Sequence, residues 1–147
     1  MKKLHFLSIV ILVSLLFFLS CGNGPASSEG RISIEEWESQ EKAILFFWTT
    51  WCPYCREEIK KLNNFYEELI GERFAIYFVN VKDSKSKVES FKEKMNIVSP
   101  IILDTEGALA RRYKIFGFPT YIFLREGVEV DRSNYLTIKY LNRLYER

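Results

Sequence analysis

The sequence predicts an α/β protein in which helices cover both sides of a central mixed β-sheet. Two apolar blocks, residues 43–48 and 74–81, have the composition of strands that are buried on both faces. Amphipathic helical patterns separate the predicted strands, and the chain finishes with a hairpin and a last helix. This alternation is typical of an α/β sandwich.

Residues 1–20 are predicted to be a lipoprotein-type signal peptide. Two lysines open the chain, residues 4–19 are almost wholly apolar, and small residues surround Cys21. In such signals the chain is cleaved before the cysteine, which then carries lipid. The alternatives are an uncleaved membrane anchor, since the apolar run is a little short of the ~20 residues that span a bilayer, and cleavage without lipidation. Each places the remaining chain outside the cytoplasm, on the extracytoplasmic face of a bacterial cell envelope.

Residues 21–31 are small and polar, and we expect them to form a flexible tether. Residues 32–147 are then one domain. It opens with a short helix through Trp37, because Ser33 and Glu36 have the spacing of a capping box. The formal net charge of +2 comes from the two lysines of the signal. The domain itself is near neutral, which gives no electrostatic argument for a nucleic-acid partner.

The remaining elements follow from local patterns. The first strand leads into an amphipathic helix from Pro53 that Gly71 is expected to end as a left-handed cap. Lysines on the next helix are interpreted as its solvated face. The predicted elements after the second strand are a helix at 84–95, a strand at 100–103, a helix at 107–113, strands at 121–124 and 128–130, and a helix at 137–145.

Two thiols three residues apart, Cys52 and Cys55, lie where the first strand meets this helix. The free backbone N–H groups and the dipole of the first helical turn favour a thiolate at Cys52. Pro53 fits that turn, where it loses no hydrogen bond. Cys55 follows nearly one turn later on the same side. We therefore predict that Cys52 attacks a partner's disulfide and that Cys55 resolves the mixed disulfide.

Two other interpretations of the cysteine pair remain open. A structural zinc site needs about four ligands, and the chain offers only Cys21 and His5 in addition, both in the segment expected to be processed. We therefore predict no metal. A purely structural disulfide is the second alternative, although closing so short a loop removes little unfolded-state entropy.

The combined motifs resemble those of thioredoxin-fold proteins of the TlpA-like and ResA-like branch, which are membrane-tethered thiol-disulfide oxidoreductases of bacteria. The matching motifs are Phe47-Trp48, Trp51-Cys52-x-x-Cys55-Arg56-x-Glu58, Val79-Asn80-Val81, Leu103-Asp104, Gly107, Tyr113, Gly117-x-Pro119-Thr120 and Gly127. The resemblance implies a thioredoxin fold around the mixed sheet. It also implies a helix-strand insertion before the proline motif, between Val81 and Asp104.

The resemblance also implies roles for single residues. Pro119 would be a cis-proline that faces the thiols, and Phe118 would offer its backbone to an extended partner chain. Trp51, Pro53 and Tyr54 would complete the substrate-binding surface.

An acidic residue near the thiols is also implied, and Asp83 matches its position. Its carboxylate could accept the proton of the resolving cysteine; the alternative is a solvated loop acid. Phe46 stands where thioredoxin has a buried aspartate, which leaves Asp83 as the candidate proton acceptor.

The sequence thus predicts an extracytoplasmic, membrane-tethered thiol-disulfide oxidoreductase. It would reduce disulfides of partner proteins, for example in cytochrome c maturation, without a cofactor other than its own redox-active disulfide. Its partners would be protein thiols and disulfides and an upstream membrane electron donor, and we expect a monomer. The alternatives are an oxidant that forms disulfides, and a tethered binding or chaperone module whose disulfide is structural.

Overall fold

The computed structural model describes residues 34–146, which form five helices and a five-stranded sheet. In chain order the elements are α1 (Ile34–Glu38), β1 (Lys42–Trp48), α2 (Pro53–Gly71), β2 (Ala75–Val81), α3 (Lys85–Met95), β3 (Ile101–Asp104), α4 (Ala108–Arg112), β4 (Thr120–Arg125), β5 (Val128–Ser133) and α5 (Ile138–Tyr145). The predicted order of helices and strands is confirmed, and α3 with β3 forms the predicted insertion.

The sheet is mixed and has the strand order β3-β2-β1-β4-β5. Strand β1 pairs in parallel with β2 and antiparallel with β4. Strand β3 continues the parallel side, and β5 continues the antiparallel side. Strand β1 is thus central, and the cysteine pair follows its carboxyl end.

The central position of β1 explains its unbroken apolar sequence. Ile44, Phe46 and Trp48 face a core shared with α2, α3 and α5. The alternate residues of β1 face a second core on the other side of the sheet, shared with α1 and α4. Residues 43–48 are all fully buried. A strand with both faces covered cannot alternate polar and apolar residues, so the block pattern follows from the topology.

The prediction that Gly71 caps α2 is wrong. Gly71 is the last helical residue, and the left-handed backbone occurs at Arg73, with φ 63°. The Phe74 N–H donates to the Leu69 carbonyl at 2.9 Å and the Arg73 N–H to the Ile70 carbonyl at 3.0 Å, which is the Schellman pattern. Phe74 and Leu69 share the core. The helix thus ends in a Schellman motif that buries both of these apolar residues.

Several predictions concern residues outside the described part of the chain. These are the signal peptide (1–20), the lipidated Cys21, the tether (21–31) and the capping serine, Ser33. Within residues 34–146, no helix combines the length and apolar composition needed to cross a membrane.

Candidate active site

The two predicted redox cysteines form a disulfide at the start of α2, with their Cα atoms 5.3 Å apart. Cys52 is the N-cap residue and Pro53 the first helical residue. The Cys55 N–H points at Cys52 Sγ, at 3.1 Å. Cys52 keeps 3% of its surface exposed, whereas Cys55 is fully buried. In the reduced protein, therefore, the amide and the helix dipole would stabilise a thiolate on the cysteine nearer to solvent.

The predicted partner-binding residues lie around this disulfide. Trp51 is 65% exposed and Tyr54 is 74% exposed. The Trp51 ring lies edge-on to the Phe118 ring, with centroids 6.2 Å apart. The Phe118–Pro119 peptide bond is cis, as predicted. Exposed aromatic residues beside a cis-proline and a nearly buried sulfur form a surface on which an extended chain can lie.

Two grooves meet at Phe118. The first, with a volume of about 580 Å³, is the basic groove; its lining includes Thr49, Trp51, Lys82, Arg111, Lys114, Phe116 and Phe118. The second, of about 530 Å³, is the proline groove; its lining includes Tyr54, Glu57, Glu58, Lys61, Phe118, Pro119 and Thr120. Phe118, the residue before the cis-proline, therefore lines both grooves.

Asp83 is buried beneath the active-site loop and is not a solvated loop acid. Its carboxylate accepts hydrogen bonds from the Thr50 N–H at 2.8 Å, the Thr50 hydroxyl at 3.1 Å, Asn80 Nδ2 at 3.0 Å and Lys87 Nζ at 3.0 Å. Burial alone would raise the pKa of this carboxyl group, but the hydrogen bonds from Thr50, Asn80 and Lys87 hold the pKa below its ordinary value. An ionised carboxylate with four donors is well suited to hold the loop before Cys52 in place.

We expect Asp83→Asn to lower the free energy of unfolding by about 1–3 kcal/mol near neutral pH, because a buried charged acceptor is lost from three partners. The Asp83 pKa is lowered in the folded state, so its stabilising contribution is present above the unfolded pKa of about 3.9 and is lost as the pH falls through the folded value. Denaturant unfolding from pH 7 to pH 3 should therefore show the difference between wild type and variant shrinking.

Glu89→Gln is the matched control, because Glu89 is an exposed acid that contacts Lys85 only at 3.8 Å. Its effect should stay within about 0.5 kcal/mol at every pH. A wild type and an Asp83→Asn variant of equal stability at pH 7 would contradict the anchoring role.

Glu58 is a buried acid beside the cysteines that the sequence interpretation included only as part of a motif. It accepts hydrogen bonds from the Tyr121 hydroxyl at 2.9 Å and from Lys61 Nζ at 2.6 Å. Burial, and then the Glu58 charge, raise the pKa of Tyr121 far above its ordinary value, so this phenol remains a donor. Glu58 follows Cys55 by three residues on α2, and residues at this spacing share a helix face. The spacing between Cys55 and Glu58 is the sequence signal that could have identified Glu58 as a site residue.

Phe46 is an apolar core residue of β1, at the position where thioredoxin has its buried aspartate. Its ring packs against Phe78, with centroids 5.1 Å apart, and against Tyr121, at 4.8 Å. The third buried acid, Asp104, accepts hydrogen bonds from the Leu109 and Ala110 N–H groups and so caps α4. Of the buried acids in the described residues, only Glu58 lies on the helix that carries the thiols.

Comparison with known proteins shows what the chain is similar to. The chain is 33% identical over 96 residues to the sporulation thiol-disulfide oxidoreductase A of Bacillus subtilis, covering 63% of this chain and 58% of the relative. It is 31% identical over 89 residues to the thiol-disulfide oxidoreductase ResA of Geobacillus kaustophilus, covering 60% and 51%. The crystal structure of StoA from Bacillus subtilis matches with a TM-score of 0.64 and 29% identity, covering 72% of this chain and 83% of that chain.

The chain thus spans little more than half the length of the curated relatives that it matches. The structural match confirms the thioredoxin fold that the motifs implied. The AhpC/TSA family matches residues 22–137, which is most of the chain. The chain therefore belongs to the AhpC/TSA family of thioredoxin-fold proteins, and it is similar to the ResA and StoA thiol-disulfide oxidoreductases.

Proposed function

We propose that this protein is an extracytoplasmic thiol-disulfide oxidoreductase that reduces disulfides in partner proteins. One observation carries the proposal: Cys52 and Cys55 form a disulfide at a helix N-terminus, with only Cys52 reaching the surface beside a cis-proline. The names of two relatives, both thiol-disulfide oxidoreductases, support it.

The chemistry is two successive thiol-disulfide exchanges. The Cys52 thiolate attacks one sulfur of the partner's disulfide; an S–S bond to Cys52 forms, and the other partner sulfur leaves as a thiolate. The Cys55 thiolate then attacks Cys52 Sγ, which forms the internal disulfide and releases the second partner sulfur. Two electrons pass from the Cys52–Cys55 dithiol to the partner, and two protons complete the partner's thiols.

Cys55 must lose its proton before it can attack, and it is fully buried. We assign the proton acceptor to Glu58, because it follows Cys55 by three residues on α2 and residues at this spacing share a helix face. Hydrogen bonds from Tyr121 and Lys61 fix its carboxylate. Asp83, the acceptor proposed from the sequence, lies on no element that carries a thiol and binds Thr50, Asn80 and Lys87. Its role in this proposal is to position the loop that carries Cys52.

The redox-active group in this proposal is the disulfide itself, so no cofactor is required. Each turnover leaves the protein oxidised, and an upstream membrane electron donor must reduce it again. Cytochrome c maturation, in which thiols of a partner are kept reduced, is a use consistent with this direction of electron flow.

Membrane attachment through a lipidated Cys21 is part of the proposal and is supported by the apolar segment that precedes it. In a bacterial host the wild-type chain is expected to incorporate labelled palmitate, and a Cys21→Ser variant is expected to incorporate none. A wild-type chain that is found in the membrane fraction without label would indicate an uncleaved anchor instead.

The proposed function is tested by a single-turnover reaction between the pre-reduced full chain and a peptide that contains one disulfide. One equivalent of protein should yield one equivalent of reduced peptide, together with one oxidised Cys52–Cys55 pair. A binding or chaperone module would bind the peptide without any thiol appearing, and that result would contradict the proposal. A protein that instead oxidises a reduced peptide in the reverse experiment, but does not reduce the disulfide form, would contradict the direction.

A further inference from the structure

Of the described residues that line the basic groove, three are cationic and none carries a carboxylate. Lys82, Arg111 and Lys114 line it, and all three are exposed. Within residues 34–146, every ion pair that the structure shows involves other residues, so none of the three is paired there. Like charges grouped at a concave surface create a positive potential that attracts anions.

The backbone holds these cations close together. Arg111 Nη1 donates to the Glu106 carbonyl at 2.7 Å. Gly107 has no side chain, and a Cβ placed there would lie 3.0 Å from Lys82 Cε and 3.5 Å from Arg111 Nη1. Both basic side chains therefore converge over Gly107. Lys82 and Arg111 are thus grouped by the backbone around Gly107, and Lys114 lines the same groove.

Two of the three cations also occupy an unusual backbone conformation. Lys82 has φ 63° and Lys114 has φ 51°, a region that lysine adopts at a cost and that glycine or asparagine would adopt more easily. Hydrogen bonds from the Lys82 N–H to the Asp104 carbonyl and from the Lys114 N–H to the Arg111 carbonyl hold these positions. Lysine at each of these two turns therefore carries a conformational cost that glycine would not.

The proline groove on the other side of Phe118 is different. Its acidic residues, Glu57 and Glu58, are each paired with a lysine, Lys60 at 2.9 Å and Lys61 at 2.6 Å respectively. Charges there are balanced within the protein. The basic groove differs in that none of its three cations is paired with an acid within residues 34–146.

The basic groove also adjoins the reacting sulfur. Thr49 and Trp51, which line it, lie just before Cys52, and Phe118 lies just before Pro119. Phe116 at its rim is 95% exposed. A partner chain whose cysteine reaches Cys52 would place its neighbouring residues over this aromatic and cationic surface.

We propose that the basic groove binds acidic side chains next to the target cysteine, and that it makes the protein selective for partners whose disulfide lies in an acidic polypeptide segment. The inference rests on the proposed function, because it concerns the specificity of the same reaction. Aspartate or glutamate side chains meet the cations, and the exposed aromatic rings contact the apolar part of the segment.

The test uses three disulfide peptides that differ only in the residues flanking the cysteine, which are aspartate, asparagine or lysine. The pre-reduced full chain reacts with each in single turnover, and the second-order rate constants are compared. At low salt we expect the aspartate peptide to react on the order of 10-fold faster than the asparagine peptide, and the lysine peptide to react slower. At about 0.5 M salt the preference should largely disappear, since the Debye length is then only a few ångströms.

Two triple variants with equal changes in net charge separate local from overall electrostatics. The preference is taken as the ratio of the aspartate rate to the asparagine rate, which cancels any general change in reactivity. The groove variant combines Lys82→Gln, Arg111→Gln and Lys114→Gln. We expect its two rate constants to differ by no more than about twofold. The control variant combines Lys92→Gln, Lys94→Gln and Lys139→Gln. These residues are exposed and line neither groove, so we expect this variant to retain the wild-type ratio.

Equal rates for the aspartate and asparagine peptides with wild type at low salt would overturn the inference, and so would an equal loss of preference in both variants. If the wild type reduced none of the peptides, the proposed function would fail and the inference with it. Succinate at millimolar concentration and constant ionic strength should leave the preference intact, because a tethered segment has a much higher effective concentration. Loss of the preference in succinate would instead assign the groove to small dicarboxylates.

Discussion

Cys52→Ser is expected to abolish disulfide reduction, with a loss on the order of 10³-fold or more, because removing the nucleophile removes the covalent step. Cys55→Ser should behave differently. The first exchange still occurs, but no second thiol resolves the product, so the partner stays bound through Cys52. Non-reducing electrophoresis with a disulfide peptide distinguishes the two variants: the Cys55→Ser variant accumulates a mixed disulfide and the Cys52→Ser variant does not.

Cys21→Ser serves as the control for these variants, since it removes the third cysteine of the chain. It should leave the rate of peptide reduction unchanged. Retention of turnover by Cys52→Ser would show that Cys52 is not the attacking nucleophile. A mixed disulfide formed by Cys52→Ser through Cys55 would reverse the assigned roles.

Glu58→Gln is expected to slow the resolving step on the order of 10²-fold near neutral pH, as is typical for the loss of a general base. The amide is similar in size to the carboxylate and can still accept from Tyr121, so the fold should be retained. The mixed disulfide is formed first, and its decay is followed from pH 5 to pH 9. In the wild type the rate of this decay should level off as the pH rises, whereas in the Glu58→Gln variant it should rise about tenfold per pH unit. Without Glu58, the loss of the Cys55 proton depends on hydroxide from solvent.

Glu57→Gln is the matched control, because Glu57 is an exposed neighbour that pairs with Lys60. It should reproduce the wild-type pH profile. A Glu58→Gln variant with that same profile would show that Glu58 supports the structure without accepting the proton, and would leave the source of the base unassigned.

The parts of the fold that could be predicted are those in which local sequence carries the constraint. Residues 43–48 predict a central strand, because a strand covered on both faces leaves an unbroken apolar block. The cysteine pair with Pro53 predicts a helix N-terminus, because each of these residues favours that turn. The cis bond before Pro119 needed the resemblance, since an X-Pro pair alone carries only a small cis preference.

The remaining features depend on contacts between distant residues. Asp83 meets Thr50 across 33 positions, and Tyr121 meets Glu58 across 63. No spacing rule links such pairs, so the sequence alone does not place either acid in its hydrogen-bond network. The basic groove likewise combines cations from three separate positions of the chain. The end of α2 follows from the burial of Phe74 and Leu69 in the core rather than from Gly71.

The measurement that tests the central claim most directly is the reduction potential of the Cys52–Cys55 pair. The full chain, purified in detergent with Cys21→Ser so that one dithiol titrates, is equilibrated against a series of dithiol buffers. A potential near that of thioredoxin, roughly −270 mV, is the predicted result, because such a dithiol can reduce most disulfides that it meets. A potential near roughly −120 mV would mean that the reduced form is the stabilised one and that the protein works as an oxidant, which would contradict the account.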